Sequence, residues 1–186
     1  MIDVISVLIL SIWLMLPAYI ANPSAALFGG GTPIDLCRNF SDKKRILGDG
    51  KTYRGLIVGS LCGAIVGLLQ ILLAPGLAPY FHVSGYALTE ASYIALLAMP
   101  VGALLGDIVK SFFKRRLGFD RGAMLPIADQ LDFVAGAWAL TLILDYGWFT
   151  SNFSLAVIVT VLIITPVLHL GTNIVGFKLG KKKVPW

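Results

Sequence analysis

Long apolar runs alternate with short charged segments along the chain. A helix needs about 20 mainly apolar residues to cross the hydrocarbon core of a bilayer, and five stretches meet this requirement. They lie at about 2–20, 55–74, 91–113, 127–146 and 153–175. The pattern predicts an all-α polytopic membrane protein with five transmembrane helices, built as a single transmembrane domain over residues 1–186.

The composition supports this placement in a membrane. Hydrophobic residues make up 57% of the 186 residues and charged residues only 13%, and the mean hydropathy is +0.83. A typical water-soluble domain carries about 25% charged residues. The first apolar stretch has no basic segment before it and continues into Pro17 and Asn22, so we expect a retained span rather than a cleaved signal peptide.

The basic residues predict the orientation of the chain. Six of the fifteen lysines and arginines follow the first stretch, five lie near the end of the third, and four lie in the C-terminal tail, whereas the opposite face keeps only Asp3, Glu90 and Asp145. Because cytoplasmic loops carry an excess of Lys and Arg, we expect an external N-terminus and a cytoplasmic C-terminus. Two cytoplasmic segments, at about 21–54 and 114–126, would then form a site on the cytoplasmic side of the cell membrane.

The net charge of +5 belongs to this cytoplasmic face. It favours anionic lipid head groups and phosphate-bearing ligands as partners. Nucleic acid is not an expected partner, because the loops are too short to present an extended basic surface. The sequence makes no prediction of the oligomeric state.

Polar residues interrupt the inner end of the third stretch. Asp107, Lys110, Ser111 and Lys114 follow the spacing i, i+3, i+4 and i+7, so a helix that continues to about residue 116 places them on one face. Polar groups in this position are expensive within a membrane and are usually functional. We therefore expect this face to line the site.

Two further carboxylates, Asp129 and Asp132, lie three residues apart near the start of the fourth stretch. An ionised Asp costs about 2.5–3.5 kcal/mol at the centre of a membrane helix, so these carboxylates need partners. Two alternatives are open. In the first, Asp107 pairs with a lysine of its own helix, and Asp129 and Asp132 pair with arginines from the set Arg115, Arg116 and Arg121. In the second, the carboxylate oxygens bind Mg²⁺, which shares its coordination shell with substrate phosphates.

The segment "LGDGKTYRG" at residues 47–55 ends in Gly-Lys-Thr but is not a nucleotide-binding P-loop. That motif has a glycine five residues before its second glycine, where this chain has Arg45, and it follows a strand. The segment precedes an apolar helix instead, and a helix N-terminus with nearby glycines favours an anion. The residues that could bind phosphate here are Gly48, Gly50, Lys51, Thr52 and Arg54.

The segment "GDIVKSFFKRRLGFDRGAMLPIADQLD" at residues 106–132 resembles the signature of the CTP-dependent lipid cytidylyltransferases. Its Gly-His-Gly-Gly block is absent and Gln130 replaces an arginine. These departures, together with the small size, the five spans and "LGDGKTYRG", resemble the archaeal branch of that family, the CDP-archaeol synthases, over the whole chain. The matching residues appear in the family order as Ser111, Lys114, Arg115, Asp120, Arg121, Pro126, Asp129 and Asp132.

The resemblance implies Mg²⁺-dependent transfer of CMP from CTP to 2,3-bis-O-geranylgeranylglyceryl phosphate, a phosphorylated isoprenoid glycerol ether lipid. It implies catalytic roles for Asp107, Lys114, Asp129 and Asp132, with the three aspartates as metal ligands. The remaining residues are expected to bind substrate, and they are Asn22, Gly48, Asp49, Gly50, Lys51, Thr52, Arg54, Lys110, Ser111, Arg115 and Arg121.

Two other classes of protein remain as alternatives. A CDP-alcohol phosphotransferase also joins Mg²⁺, CDP and lipid, but its aspartates are spaced by four residues, whereas Asp129 and Asp132 are spaced by three. A small transporter or lipid-binding scaffold would use intramembrane charges along a path across the bilayer. The second and fifth stretches carry no charged residue in their middles, which disfavours such a path.

Overall fold

The computed structural model describes residues 4–77, 92–119, 125 and 127–178. Within these ranges the extended chain pairs only in two isolated bridges, Pro33 with Thr52 and Asn39 with Arg45. The all-α prediction is therefore confirmed. The helices are α1 (Val4–Phe28), α2 (Tyr53–Leu77), α3 (Tyr93–Arg116), α4 (Ala128–Leu144), α5 (Tyr146–Asn152) and α6 (Leu155–Lys178).

Four of these helices are long and apolar enough to cross a membrane. They are α1, α2, α3 and the part of α6 from Leu155 to Ile174. Large apolar side chains on α2 stay exposed, among them Ile57, Leu61 and Ile65, as expected of a surface that faces lipid. The protein is therefore a multi-pass membrane protein. The helix α4 has 17 residues and is shorter than these four.

One predicted helix end is wrong, and the predicted continuation of the third helix is confirmed. The first helix does not end near residue 20 but continues through Pro17 and Pro23 to Phe28, because prolines are tolerated in membrane helices whose neighbours satisfy the freed backbone groups. The third helix continues past its apolar stretch to Arg116, as the helical spacing through Lys114 predicted. Lys114 and Arg115 therefore belong to its last turn and not to the segment predicted at about 114–126, and basic side chains there interact favourably with the helix dipole. The loop between α1 and α2, named the inner loop below after its predicted side, therefore covers only residues 29–52.

A short helix replaces one predicted connection. The segment at about 147–152 lies in α5, whose first turn is capped by Asp145 through a hydrogen bond from the backbone of Trp148. The outer connection predicted at about 75–90 lies mostly outside the described residues, as do Asp3, Glu90, Pro126 and the lysines at 181–183.

Small residues allow the helices to approach closely. Gly63 of α2 lies against Pro17 and Pro100. Where α3 crosses α4, the backbone of Gly136 lies directly against the backbones of Gly102 and Gly106. Small residues at such crossings are typical of helix packing in membranes, where van der Waals contact replaces the hydrophobic effect. The crossing holds the C-terminal part of α3 and the N-terminal part of α4 together, and these parts carry the charged residues.

Candidate active site

Six charged side chains meet where α3 and α4 approach the inner loop. Three of them project from α3 at positions i, i+3 and i+7, and two project from the first turns of α4 at i and i+3. The sixth comes from the loop, two residues before α2 begins. The charged cluster consists of Lys51, Asp107, Lys110, Lys114, Asp129 and Asp132.

Lys110 lies at the centre of the charged cluster. Its Nζ is 3.1 Å from Asp107 Oδ1, 3.3 Å from Asp129 Oδ1 and 2.9 Å from Asp132 Oδ2. The Asp132 side chain is 8% exposed, and within the described residues its buried Oδ2 meets no donor besides this ammonium. One ammonium group thus faces carboxylates from both helices, so it links α3 to α4 electrostatically.

Two more lysines flank this centre. Lys51 Nζ donates a hydrogen bond to Asp107 Oδ2, which ties the inner loop to α3. Lys114 Nζ lies 3.0 Å from both carboxylate oxygens of Asp129, and Asp129 Oδ2 also accepts a hydrogen bond from the backbone N–H of Leu125 at 2.7 Å. Three lysines therefore face three aspartates in a largely buried, charge-balanced network, which lowers the cost of placing ions at the membrane boundary.

The inner loop folds around a buried carboxylate. The Asp35 side chain is fully buried and accepts hydrogen bonds from the backbone N–H groups of Cys37, Leu47 and Gly48 at 3.0–3.1 Å. Arg45 donates to both oxygens of this carboxylate, at 2.9 and 3.1 Å. The Arg45 guanidinium holds the pKa of Asp35 well below its usual range, and Asp35 in turn raises the pKa of Arg45. The hydrogen bonds to the Asp35 carboxylate therefore fix the turn that leads to Lys51.

Arg116, at the end of α3, attaches the loop to the helix. Its guanidinium donates to the Asp42 carboxylate and to the backbone carbonyls of Lys44 and Arg45. The same group lies 4.9 Å from the ring centre of Phe40 and 5.2 Å from that of Phe112. Contacts between a cation and aromatic rings are favourable at this distance, so Arg116 clamps the loop against α3.

A cavity of about 80 Å³ opens beside Asp107 and Lys51. Asn22 of α1 lines it, and the Asn22 Oδ1 atom is buried without a hydrogen-bond partner. Gly50 and Thr52 line the same cavity. The Thr52 hydroxyl accepts a hydrogen bond from the backbone N–H of Gly55 at 3.0 Å, so it caps the first turn of α2. The cavity joins four predicted binding residues to the charged cluster.

Three other residues predicted to bind substrate, Gly48, Asp49 and Arg54, do not line this cavity. Gly48 adopts φ = +97°, which glycine tolerates best, and its N–H is used by Asp35. The Asp49 side chain is 58% exposed and pairs with Arg45 at 2.9 Å. Arg54 is exposed in the first turn of α2. Substrate binding by these three residues stays a prediction.

On α3, the remaining predicted residues make local hydrogen bonds. Ser111 donates to the backbone carbonyl of Asp107 at 2.8 Å, and Arg115 donates to that of Phe119 at 2.6 Å. Arg121 lies outside the described residues. Of the first alternative given for the aspartates, the pairing of Asp107 with a lysine of its own helix is confirmed, since Lys110 contacts it. The pairing of Asp129 and Asp132 with Arg115 or Arg116 is wrong within the described residues, because Lys110 and Lys114 occupy that place.

A family model described as CarS-like, CDP-archaeol synthase, matches residues 1–186. The chain belongs to the CDP-archaeol synthase family. The CDP-archaeol synthase of Methanocella arvoryzae is 68% identical over 174 residues, and that of Methanosarcina barkeri is 52% identical over 178; each alignment covers 92% of this chain and 100% of the relative. The resemblance predicted from the two inner segments is therefore confirmed.

A solved structure described as an intramembrane enzyme for archaeal membrane lipids biosynthesis is also similar to this chain. The two share 38% sequence identity with a TM-score of 0.71, over 88% of this chain and 92% of the other. The similarity in sequence and fold thus extends over most of the length of this member of the CDP-archaeol synthase family.

Two residues that shape the site of this CDP-archaeol synthase family member were not found from the sequence. Asp35 organises the inner loop, and Arg116 attaches that loop to α3. The hydrogen-bond partners of these two residues do not lie at helical spacing from them along the sequence, so no periodic pattern indicates the contacts. The available signal was the high charge of the loop, in which an acidic residue between basic neighbours favours a buried ion pair.

Proposed function

We propose that the protein transfers CMP from CTP to 2,3-bis-O-geranylgeranylglyceryl phosphate and releases diphosphate. The observation that carries this proposal is the charged cluster at the inner ends of apolar helices, in a chain that belongs to the CDP-archaeol synthase family. Such a cluster can receive a water-soluble triphosphate on one side and a phosphate on a membrane lipid on the other.

The lysines suit a reaction between two anions. Lys51, Lys110 and Lys114 bring three ammonium groups to one place, and cations of this kind bind phosphate oxygens and neutralise the charge that grows during transfer. The attacking lipid phosphate is already ionised, so the reaction needs no general base. The protein contributes position and charge, and the phosphate attacks the α-phosphorus in line with the departing diphosphate.

Mg²⁺ is part of the proposal, with Asp107, Asp129 and Asp132 as the residues that would hold it. In the described part of the chain, no three carboxylate, His or Cys side chains are placed so that they could hold a metal ion without rearrangement. However, the three aspartates face one cation, the ammonium of Lys110, and carboxylate oxygens are the ligands that Mg²⁺ prefers. The residues therefore fit the ion, which when bound would neutralise charge on the triphosphate.

The lipid substrate would enter from the bilayer. The cavity that holds Asn22, Lys51 and Asp107 is bordered by apolar residues of three helices, including Ala26, Leu56 and Leu104. In our proposal the lipid phosphate lies beside Lys51, and the isoprenoid tails extend along the apolar helix surfaces. Apolar surfaces accept many hydrocarbon chains, so we assign the tail identity from family membership.

We also propose five spans, with the N-terminus outside and the site on the cytoplasmic side. The helix α4 supports this count, because 17 residues extend about 25 Å, close to the thickness of about 30 Å of the hydrocarbon core, and because α4 packs along α3. The basic residues at the inner ends of α2 and α3 support the orientation.

The test uses purified protein in detergent with labelled CTP, the unsaturated archaeal phosphate lipid and Mg²⁺. We expect CTP-dependent formation of a CDP-lipid by the unsubstituted protein. Asp129→Asn and Asp132→Asn should lose at least about a hundredfold in turnover, within the usual range for groups that stabilise charge in a transition state. Lys178→Met is the matched control, because Lys178 is exposed at the end of α6. Absence of CTP-dependent diphosphate release would overturn the proposal.

A further inference from the structure

The position of Lys110 has a consequence for cation binding. Its ammonium lies within 3.3 Å of one oxygen from each of three carboxylates. A Mg²⁺ ion bound by the same carboxylates needs oxygens at about 2.0–2.1 Å. An ammonium and a divalent ion repel each other strongly at such separations, so both cannot lie among these oxygens at once.

We infer that Lys110 is a displaceable counter-cation. In the substrate-free protein its ammonium holds Asp107, Asp129 and Asp132 together, and when a divalent ion binds, the ammonium leaves them and binds an oxygen of the nucleotide triphosphate. This inference rests on the proposed function, because it takes the three aspartates as the ligands of the ion.

The distribution of partners singles out Lys110 among the three lysines of the cluster. Asp107 also pairs with Lys51, and Asp129 also pairs with Lys114, so these carboxylates keep a cation when Lys110 moves. Asp132 has its ammonium contact from Lys110. Within the described residues, no donor besides this ammonium reaches its buried Oδ2, so the departure of Lys110 would free this oxygen for a metal ion.

The side chain of Lys110 is able to make this movement. A lysine carries its charge on a flexible stem of four carbons and binds as a point charge without fixed direction. The side chain is 17% exposed, so solvent reaches it. Its departure without replacement would leave three carboxylates facing two ammonium groups. Loss of the ammonium is therefore favourable only when another cation arrives and an anion receives Lys110.

The exchange couples metal binding to nucleotide binding. Without CTP, a metal ion must compete with Lys110 for the carboxylates and must leave the displaced ammonium without an anion. With CTP, the triphosphate receives that ammonium. By linkage, each ligand then raises the affinity of the protein for the other, and such coupling is typically about 5- to 150-fold. Lys110 thereby disfavours a metal-loaded site without nucleotide.

The test measures Mn²⁺ binding to the nucleotide-free protein in detergent, by the loss of the electron paramagnetic resonance signal of free Mn²⁺. We expect Lys110→Met to bind Mn²⁺ at least about tenfold more tightly than the unsubstituted protein. Lys114→Met is the matched control, because it removes the same charge from the same cluster at its contact with Asp129, whereas Lys110 contacts all three carboxylates. It should change the affinity for Mn²⁺ much less.

Two further results are decisive. The inference is overturned if Lys110→Met and the unsubstituted protein bind Mn²⁺ with equal affinity, or if Lys114→Met gains as much affinity as Lys110→Met. CTP turnover by the unsubstituted protein is measured separately, and if it is present the proposed function stands in either case. If no form binds Mn²⁺ and chelator does not stop turnover, the metal site itself is wrong. Should Lys110→Met fail to fold, Lys110→Met with Asp107→Asn keeps the charge balance, and it must bind Mn²⁺ more tightly than Asp107→Asn alone.

Discussion

Helix packing at the crossing of α3 and α4 determines the geometry of the charged cluster. At Gly136, a Cβ atom would lie 2.6 Å from Gly106 Cα, whereas non-bonded carbon atoms prefer about 3.5–4.0 Å. Gly136→Ala therefore forces the two helices apart by about 1 Å. Gly136 lies one turn after Asp132, and Gly106 directly precedes Asp107. The separation should therefore lengthen the contacts that Lys110 makes with both aspartates.

The magnitude follows from two opposing terms. Extra volume in a closely packed contact costs about 1–3 kcal/mol, while replacement of Gly by Ala within a helix contributes up to about 1 kcal/mol in the stabilising direction. We expect a net loss of up to about 2 kcal/mol in stability. A shift of about 1 Å at reacting groups can cost about a hundredfold in rate, so activity should fall more than stability.

The assay compares thermal unfolding in detergent and CTP turnover of Gly136→Ala with those of Gly171→Ala. Gly171 is exposed on α6, and a Cβ there meets no atom within 4 Å, so this control gains helix propensity without a steric clash. We expect it to be as stable and active as the unsubstituted protein, or slightly more stable. If Gly136→Ala matches the control in stability and turnover, the proposed coupling between the helix crossing and the charged cluster is wrong.

Three further predictions concern the inner loop. The pKa of Asp35 is lowered on folding, so its contribution to loop stability is present above its ordinary value of 3.8 and is lost as the pH falls toward the folded pKa. Cleavage of the loop by pepsin, measured relative to an unstructured peptide at the same pH, should therefore increase as the pH falls through that range. At neutral pH, Asp35→Asn should admit trypsin, unlike Asp49→Asn, whose side chain is exposed. Arg116→Ala removes the clamp on the loop, so it should raise KM for CTP and loop cleavage while the unfolding temperature of the helices stays nearly unchanged. A membrane-impermeant maleimide should label exposed Cys37 in inside-out vesicles of a Cys62→Ala variant; labelling only in right-side-out vesicles would reverse the proposed orientation.

Hydrophobic pattern was sufficient to predict the helical class, because the bilayer imposes both apolar composition and length. It did not determine where the helices end. α1 continues past Pro17 and Pro23 to Phe28, since tertiary neighbours rather than local propensity decide whether a membrane helix tolerates proline. The end of α3 was predicted from a different signal, because the helical spacing of Asp107, Lys110 and Lys114 indicated a helix to about residue 116, and α3 ends at Arg116.

The charged cluster was partly predictable for a similar reason. Helical spacing places Asp107, Lys110 and Lys114 on one face, and the structure has them there. Spacing within one helix says nothing about contacts between elements. The central position of Lys110 among carboxylates of two helices and the hydrogen bond from Lys51 to Asp107 depend on the crossing of α3 and α4 and on the fold of the inner loop.

Nucleotidyl transfer to a lipid is tested most directly by following the two ends of CTP in one reaction. Purified protein is incubated with the phosphate lipid, Mg²⁺ and CTP that carries label at either the α- or the γ-phosphorus. The proposed reaction predicts α-label in the lipid product and an equal amount of γ-label in diphosphate. Label from the γ-phosphorus in the lipid, or no lipid-dependent consumption of CTP, would contradict it.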